Sequence, residues 1–419
     1  MIDIKKVRDD WQAVAGNLAR RGVEEKSVEK LWEADKEWRE LNGEVEKLRS
    51  EQNKVNELVA AADKKEGEKI INDAKKASKK IKTGERKLIS LLEQRDELWR
   101  SLPNMILEDV PNGGKEEAQV EAESKVKIPE FKFEAKSYLE LLPEYIDLAS
   151  AAKVSGSRFV YIKNQLARLE LGLVSYVIDH LVDIGFEAII PPVLINEKAM
   201  KGMGYLDHEG DEIYKTQDNL YLVGTSEQSV GAMHMEEILE APLPRRYVAY
   251  STCFRRESGS HGQDVKGMLR VHQFNKVEMF SFCSPEQSGD EHEFLLTQQR
   301  YIMDSLFLPY RVMKLAAGDL GAPAAKTYDI ETWIPSEKKF RETHSTSNTT
   351  DYQARRLNIR VRDADTIKKA HMLNGTAVAV GRVLIALIEN HQQADGSIAI
   401  PKVLHKYLPF TSIKKPVNG

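Results

Sequence analysis

The sequence predicts an α+β protein in two units: a long antiparallel α-helical coiled-coil arm at the N-terminus, then a domain on an antiparallel β-sheet flanked by helices. Three observations carry this. Apolar residues repeat every seven positions in two runs before residue 100, Pro and Gly break the pattern abruptly after Leu102, and further on apolar and polar segments alternate with shorter periods. At 419 residues the chain also exceeds the roughly 250–300 that one hydrophobic core serves.

The arm comes first. Leu31, Trp38 and Val45 form one row and Leu41, Leu48 and Val55 a second, displaced by three, which is an a/d seam. A second beat places Ala74, Ile81 and Leu88 in one row and Ala77, Leu91 and Leu98 in the other, with Gly84 breaking the latter. The polar, helix-weak segment around Asp63–Gly67 separates them and is short, so two helices of some 30 residues, each about 50 Å long, must fold back antiparallel. Their charges differ. Residues 24–51 carry ten Asp/Glu against six Lys/Arg, whereas residues 64–87 carry ten Lys/Arg against four Asp/Glu. A solvated helix face is the ordinary reading of a charge run. The one-sided crowding of Lys75, Lys76, Lys79, Lys80 and Lys82 instead makes a phosphate backbone a plausible target, since such contacts need charge and reach but no base code.

Pro103, Pro111, Gly113, Gly114 and the polar run from Lys115 to Val126 read as a linker. A helix is expected from about Ala167 to Ile184, then strands at Ala188–Ile190, Leu220–Val223, Tyr247–Tyr250 and Val277–Phe282, then a helix from Val380 to His391. The absence of regular βαβ alternation favours an antiparallel sheet. No GxGxxG or GxxxxGK[ST] phosphate loop occurs, so a bound nucleotide would need side chains to hold its phosphates. Whole-molecule charge is −4, which excludes global attraction to nucleic acid. Cys253 and Cys283 are the only cysteines, too few for a disulfide scaffold or a Cys-only zinc site, and a reducing cytosol follows. The opening MIDIKKVRDD is not a signal peptide, and no run of eighteen apolar residues argues for a membrane span.

Residues 247–280 read as a strand, a polar Gly-rich loop and a returning strand. Arg255 and Glu257, two apart, are expected to point to one side of the first strand, and Lys276 and Glu278 to one side of the second. Cross-strand ion pairing alone would account for such charges. Further motifs weaken that account. CFRRE, GMLRVHQF and KVE resemble the second signature motif of class II aminoacyl-tRNA synthetases, in the form used by seryl-tRNA synthetases. GTSE at Gly224–Glu227 is similar to that family's TxE element, FRETHSTSNTTDYQARRLNIR at Phe340–Arg360 to its metal and ribose segment, and NGTAVAVGRVLIALIEN at Asn374–Asn390 to motif 3. Ile190-Pro191-Pro192 sits where the dimer-forming motif 1 is expected.

The resemblance implies a homodimeric, cytoplasmic serine–tRNA ligase with a class II catalytic domain over 127–419, a linker over 103–126 and a tRNA-binding arm over 1–102. Serine and ATP would give seryl-adenylate, and the 3′ end of tRNA(Ser) would take the serine, with charging of tRNA(Sec) left open. By resemblance Arg255 would hold the α-phosphate and the serine carboxylate, Arg382 the γ-phosphate, Glu257 the adenine amino group and Phe274 the ring face, with Arg270 also at ATP. Glu342 and Ser345 would hold Mg²⁺. Glu278 and Thr376 would meet the serine hydroxyl and Thr225 and Glu227 the ammonium, with Asn374 also at the serine. Lys75, Lys76, Lys79 and Lys80 would meet tRNA. Taken alone, Phe274 reads as a core aromatic, Glu227 as a solvated carboxylate and Thr376 as a helix N-cap. His261, His272 and His344 lack metal-ligand spacing. His261 and Gln263, in the loop that the resemblance places at the tRNA acceptor end, and His344, beside the metal segment, depart from the usual family residues. A paralogue loading a carrier protein would tend to lack the arm, and a degenerate regulator would lack Arg255 or Arg382; the heptads and both arginines are present.

Overall fold

A computed structural model describes residues 1–61, 64–208, 210–258, 267–363 and 365–414, with side chains described outside 56–74. Two compact units emerge, Ile2–Pro103 and Asn104–Gly419 together with Met1.

Among the described residues the first unit has three helices: α1 (Ile4–Ala19), α2 (Glu25–Ala61) and α3 (Lys64–Ser101). The heptad residues with described side chains turn inward, and Ala74 lies outside them. Leu31, Val45, Ile81 and Leu91 are buried and Trp38, Leu41, Leu48, Val55, Ala77, Leu88 and Leu98 half-buried. Contacts of Asp35 with Arg95, and of Val45 with Gly84, run in opposite chain directions, so α2 and α3 are antiparallel. Gly84 does not interrupt the seam. A Cβ there would stand 2.5 Å from Val45 Cγ2, so the missing side chain is what lets the helices approach. Helix α3 already runs from Lys64, so Lys64–Gly67 is helical rather than loop; Asp63 lies outside the described residues. Unforeseen was α1, which adds Val7, Val14 and Leu18 to the core, and a buried charge, Asp35, gripped by Arg8 at 2.8 Å and Arg39 at 2.8 Å.

The stretch 103–126 is more than a tether. Its apolar Ile106 and Val110 pack with Ala317 and Leu320, the Asn104 amide donates to Pro323 O and Thr349 O at 2.9 and 2.8 Å, and β1 (Gln119–Glu123) joins the main sheet. The linker expectation fails here because Pro and Gly signal turns, not the absence of packing.

The rest builds on α4 (Asn164–Asp183), β2 (Glu187–Ile189), α5 (Glu197–Met203), β3 (Arg245–Phe254), β4 (Gln273–Cys283), α6 (Ser288–Ser305), β5 (Tyr310–Lys314), β6 (Lys326–Ile334), β7 (Lys339–Asn348), α7 (Tyr352–Leu357), β8 (His371–Ala379) and α8 (Val380–Asn390). The eight-stranded sheet runs in the order β1-β5-β6-β7-β8-β4-β3-β2. All neighbours are antiparallel except β2 on β3, a parallel edge pair. Side-chain alternation divides the core. Val277 and Met279 enter one apolar cluster with α4 and α8, while Phe280 and Phe282 enter another with α5 and α7. Both cysteines are buried free thiols. Among the described residues no helix is long and apolar enough to cross a membrane.

Candidate active site

Alternation along β4 sets the site. Phe274, Lys276, Glu278, Phe280 and Phe282 share a face; the last two fill the core, and the first three turn into an open cavity of about 580 Å³. Thr225, Glu227, Arg255, Glu257, Arg270, Phe274, Glu278, Glu342, Ser345, Asn374, Thr376 and Arg382 all line it. Residues up to 157 positions apart in sequence (Thr225 to Arg382) are thereby gathered on one face of the sheet.

At one end lies a polar floor. Glu278 is buried, with Lys276 Nζ 2.5 Å from its Oε2 and the Thr376 hydroxyl donating to the same oxygen at 3.3 Å. Thr376 pairs with Glu278 across the β8–β4 ladder, so it is a strand residue; the N-cap of α8 is Ala379. Glu227 opens the short helix Glu227–Val230 and is buried rather than solvated. The Tyr205 hydroxyl donates to its Oε2 at 2.8 Å and the Gln353 amide to its Oε1 at 2.9 Å. Burial pushes Glu227 up to about 7, reinforced by the Glu278 charge and opposed by Gln353, Tyr205 and Lys276. Thr225 and Asn374 are buried beside this floor.

Arg255 stands at the rim of β3. The strand ends at Phe254, and Glu257 has φ +52°, so Arg255 and Glu257 do not share a regular strand face as expected; the chain leaves extended geometry before Glu257. Arg255 is held otherwise. Its backbone N–H donates to His272 O at 3.0 Å, the His272 Nδ1 lies 3.0 Å from Arg255 O, and its Nε donates to Gly224 O at 3.2 Å. The guanidinium carbon is 5.4 Å from the Phe274 ring centre, and Phe274 is half-buried in the cavity wall. Arg270 reaches Glu257 at 3.4 Å. His261 and Gln263 lie outside the described residues.

The far end carries Glu342, Ser345 and Arg382. Residues three apart on a regular strand face opposite ways, but a β-bulge at Thr343, opposite Ile330–Glu331, brings Glu342 and Ser345 both to the cavity. Arg382 donates to Glu342 Oε1 at 2.9 Å. Glu342 stays half exposed at 51%; crowding in the cavity raises its carboxyl, but the Arg382 and Arg255 guanidiniums outweigh that and hold it below its usual range. Opposite Ser345 sits Asp329, whose Oδ1 is buried without a hydrogen-bond partner and whose carboxyl is raised well above the usual range by burial and by the Glu342 charge. His344 is buried, its ring nitrogens 2.8 Å from Thr343 Oγ1 and 3.2 Å from Ala377 O; burial lowers it to about 4, so it is a neutral wall residue. Sequence reasoning missed Lys276, Asp329, Tyr205 and Gln353 as site residues. Lys276 was legible from its period-two position between Phe274 and Glu278. Gln353 meets a carboxylate 126 residues away, and no local pattern announces that.

The family model for the seryl-tRNA synthetase N-terminal domain matches residues 1–106, and that for the tRNA synthetase class II core domain (G, H, P, S and T) matches residues 212–391. The chain is 42% identical to the serine–tRNA ligase of Acidothermus cellulolyticus over 99% of this chain and 100% of that protein, and 40% identical to that of Thermoplasma volcanium over the same shares. It superposes on the crystal structure of seryl-tRNA synthetase from Pyrococcus horikoshii complexed with ATP at a TM-score of 0.93 and 38% identity, covering 99% of both chains. The cytoplasmic serine–tRNA ligase of Naegleria fowleri in complex with AMP gives a TM-score of 0.88 at 28% identity, covering 99% of both chains. With motifs, arm, sheet and cavity in agreement along its whole length, the chain belongs to the seryl-tRNA synthetases, ATP-dependent serine–tRNA ligases of class II.

Proposed function

We propose that the cavity forms seryl-adenylate and hands serine to tRNA(Ser) with the residues named above in the following roles. The serine carboxylate attacks the α-phosphorus of ATP, forming the mixed anhydride and releasing pyrophosphate; the terminal ribose hydroxyl of the tRNA then attacks the carbonyl and AMP leaves. Two anions must meet in the first step, so preorganised positive charge is the dominant requirement. Arg255, anchored through His272 and Gly224, supplies it between carboxylate and α-phosphate. Arg382 takes the γ-phosphate, Phe274 the adenine face, and Glu257 with Arg270 the remaining nucleotide contacts. Glu227 and Thr225 accept from the ammonium, while Glu278, Thr376 and Asn374 fix the hydroxyl side.

Mg²⁺ fits the far end. Among the described residues the cavity is lined by seven carboxyl groups (Glu212, Glu227, Glu257, Glu278, Asp319, Asp329, Glu342) against four cations (Arg255, Arg270, Lys276, Arg382); even with Asp329 raised well above the usual range and Glu227 at about 7, the other five acids leave no surplus of positive charge for a bare polyphosphate. Glu342, Ser345 and the orphaned Asp329 oxygen are hard donors suited to it. Among the described residues no three His, Cys, Asp or Glu side chains form a metal cluster alone, consistent with an ion that shares its coordination with phosphate oxygens. When bound it would neutralise polyphosphate charge.

The arm over residues 1–102 is assigned to tRNA(Ser). Its support is the exposed Lys75, Lys76, Lys79 and Lys80 on α3; the same surface would serve tRNA(Sec). Large exposed apolar residues along α4 and the segment after β2, Leu171 and Val182 and above all Ile190 at 86% exposure, support a homodimer through motif 1. Two buried thiols without a disulfide support a cytoplasmic location.

The observation that carries the reading is that Arg255, the Glu227–Glu278 floor and the Glu342–Arg382 end line one cavity. Amino-acid-dependent ATP–pyrophosphate exchange across all twenty amino acids tests it: serine alone should support exchange, because hydrogen-bonding pockets reject analogues lacking the polar group. Equal exchange with alanine or glycine would remove the assigned floor. Replacing residues 30–98 by a short Gly/Ser linker should spare serine-dependent exchange while aminoacylation collapses, and efficient charging by that variant would dismiss the arm assignment.

A further inference from the structure

We propose that Gln353, seconded by Tyr205, is a positioning residue of the serine pocket: its amide N–H holds one oxygen of Glu227 while the Tyr205 hydroxyl holds the other, fixing the carboxylate as an acceptor for the substrate ammonium. The proposal rests on the reading of Glu227 as the ammonium acceptor.

The geometry is specific. Gln353 lies on α7 and is fully buried, with its Nε2 2.9 Å from Glu227 Oε1 and 3.3 Å from Met203 O, while the Thr349 hydroxyl lies 3.0 Å from its Oε1. That arrangement decides which way the amide faces, since the reverse would set two oxygens 2.9 Å apart. Tyr205, in the loop after α5, reaches Oε2 at 2.8 Å. Among the described residues each carboxylate oxygen therefore has one neutral donor and keeps lone-pair capacity for a ligand. Neutral donors matter here. An arginine on Glu227 would orient it equally well but would satisfy the charge that the incoming ammonium is meant to meet.

The same two donors oppose protonation. Buried beside Glu278, Glu227 sits near its titration point, pushed up to about 7 by burial and that neighbouring charge. The charged and titratable groups facing it are Glu278 and Lys276 from β4 and the Tyr205 phenol, with Arg255 on the same cavity; α7 offers the neutral Gln353 amide. A protonated Glu227 could not accept from the ammonium with full charge. Removing either donor should raise its pKa, because a hydrogen bond to the ionised form favours that form.

Serine-dependent pyrophosphate exchange of the full chain tests this with Gln353→Met, Tyr205→Phe, Glu227→Gln and the double variant Glu227→Gln/Gln353→Met. Gln353→Met should raise the serine KM about tenfold, as expected for one lost bond to a charged group, with the ATP KM changed by less than about twofold. The acid limb of kcat/KM for serine should move up by about one pH unit, and Tyr205→Phe should move it the same way. In the Glu227→Gln background, Gln353→Met should add almost nothing, since its partner charge is gone. Should Gln353→Met fail to fold, Tyr205→Phe carries the test, as it loses only a hydroxyl from a half-buried ring. Equal rises in both KM values, an unmoved acid limb, or a full effect of Gln353→Met on top of Glu227→Gln would overturn the proposal. If Glu227→Gln itself leaves the serine KM unchanged, the ammonium reading fails first, an outcome distinct from failure of Gln353 alone.

Discussion

Two buried carboxylates, one in each unit, receive opposite treatment. Asp35 in the arm is 1% exposed, and Arg8 and Arg39 donate to it at 2.8 Å with Arg95 at 3.8 Å. Burial alone would raise its pKa, but the Arg8 and Arg39 bonds and charges outweigh burial and hold it below the usual carboxylate range. Glu227 is 4% exposed and among the described residues its carboxylate is bonded by a phenol and an amide, and it rises to about 7. The difference separates structure from function. A carboxylate that completes its own charge pairs ties helices together and has nothing left for a ligand. One that is desolvated yet given only neutral donors keeps a charge deficit that an ammonium can fill.

The most damaging way to break the comparison is at the site's own cation. Arg255→Ala should reduce serine-dependent pyrophosphate exchange at least 10²-fold, on the order of one lost preorganised donor, while thermal unfolding of the arm stays unchanged. Near-normal exchange would show that charge compensation in the cavity does not depend on this fork. The arm's counterpart is Asp35→Ala. Because Arg8 and Arg39 are partly exposed and can turn to water, the expected loss is about 2 kcal/mol of arm stability rather than the larger cost of stranding fully buried charges, and exchange should not change.

Acid sharpens the same contrast. A carboxyl whose folded pKa is depressed contributes stability that is present above its unfolded pKa of about 3.9 and is lost as pH falls through the lower folded value. The arm should therefore hold its melting temperature down to about pH 4 and lose it below, and Asp35→Ala should flatten that acid limb. A limb of unchanged steepness in the variant would assign it to other carboxyls. Neutralising Lys75, Lys76, Lys79 and Lys80 should weaken tRNA binding and reduce its log–log salt slope by about 0.7–0.9 for each phosphate that the arm no longer neutralises, with serine activation untouched. A full salt slope in that variant would reassign the lysines to a solvated face. The smallest effect is expected at Gly84. Alanine there gains about 1 kcal/mol of helix propensity but drives its Cβ to 2.5 Å from Val45 Cγ2, so net destabilisation by about 1 kcal/mol is expected in thermal melts. A stabilised variant would mean that the helices can separate at no cost.

The heptads of α2 and α3 were legible because a seven-residue beat is local and survives without tertiary context, and the motif strands because their residue types alternate with period two. The first helix α1 carried no heptad, and Asp35 read as one more surface acid, since nothing in a charge-rich helix tells which carboxylate three arginines will enclose. The segment 103–126 read as a linker because turn residues punctuate it, while its strand β1 is short and pairs with residues almost two hundred positions later.

What the sequence determined by itself is the two long helices of the arm, the β3–β4 hairpin and the motif residues carried near it, because periodicity and motif order are written in neighbouring residues. Only the tertiary structure decided how that inventory is used. The bulge at Thr343 turns Glu342 and Ser345 to one side, the positive φ at Glu257 takes it off the strand, Thr376 becomes a partner of Glu278 instead of a cap, and Gln353 meets Glu227 across 126 residues. Those outcomes depend on register and on which faces two strands or helices bury against each other, and such long-range choices leave no mark in any short stretch of chain.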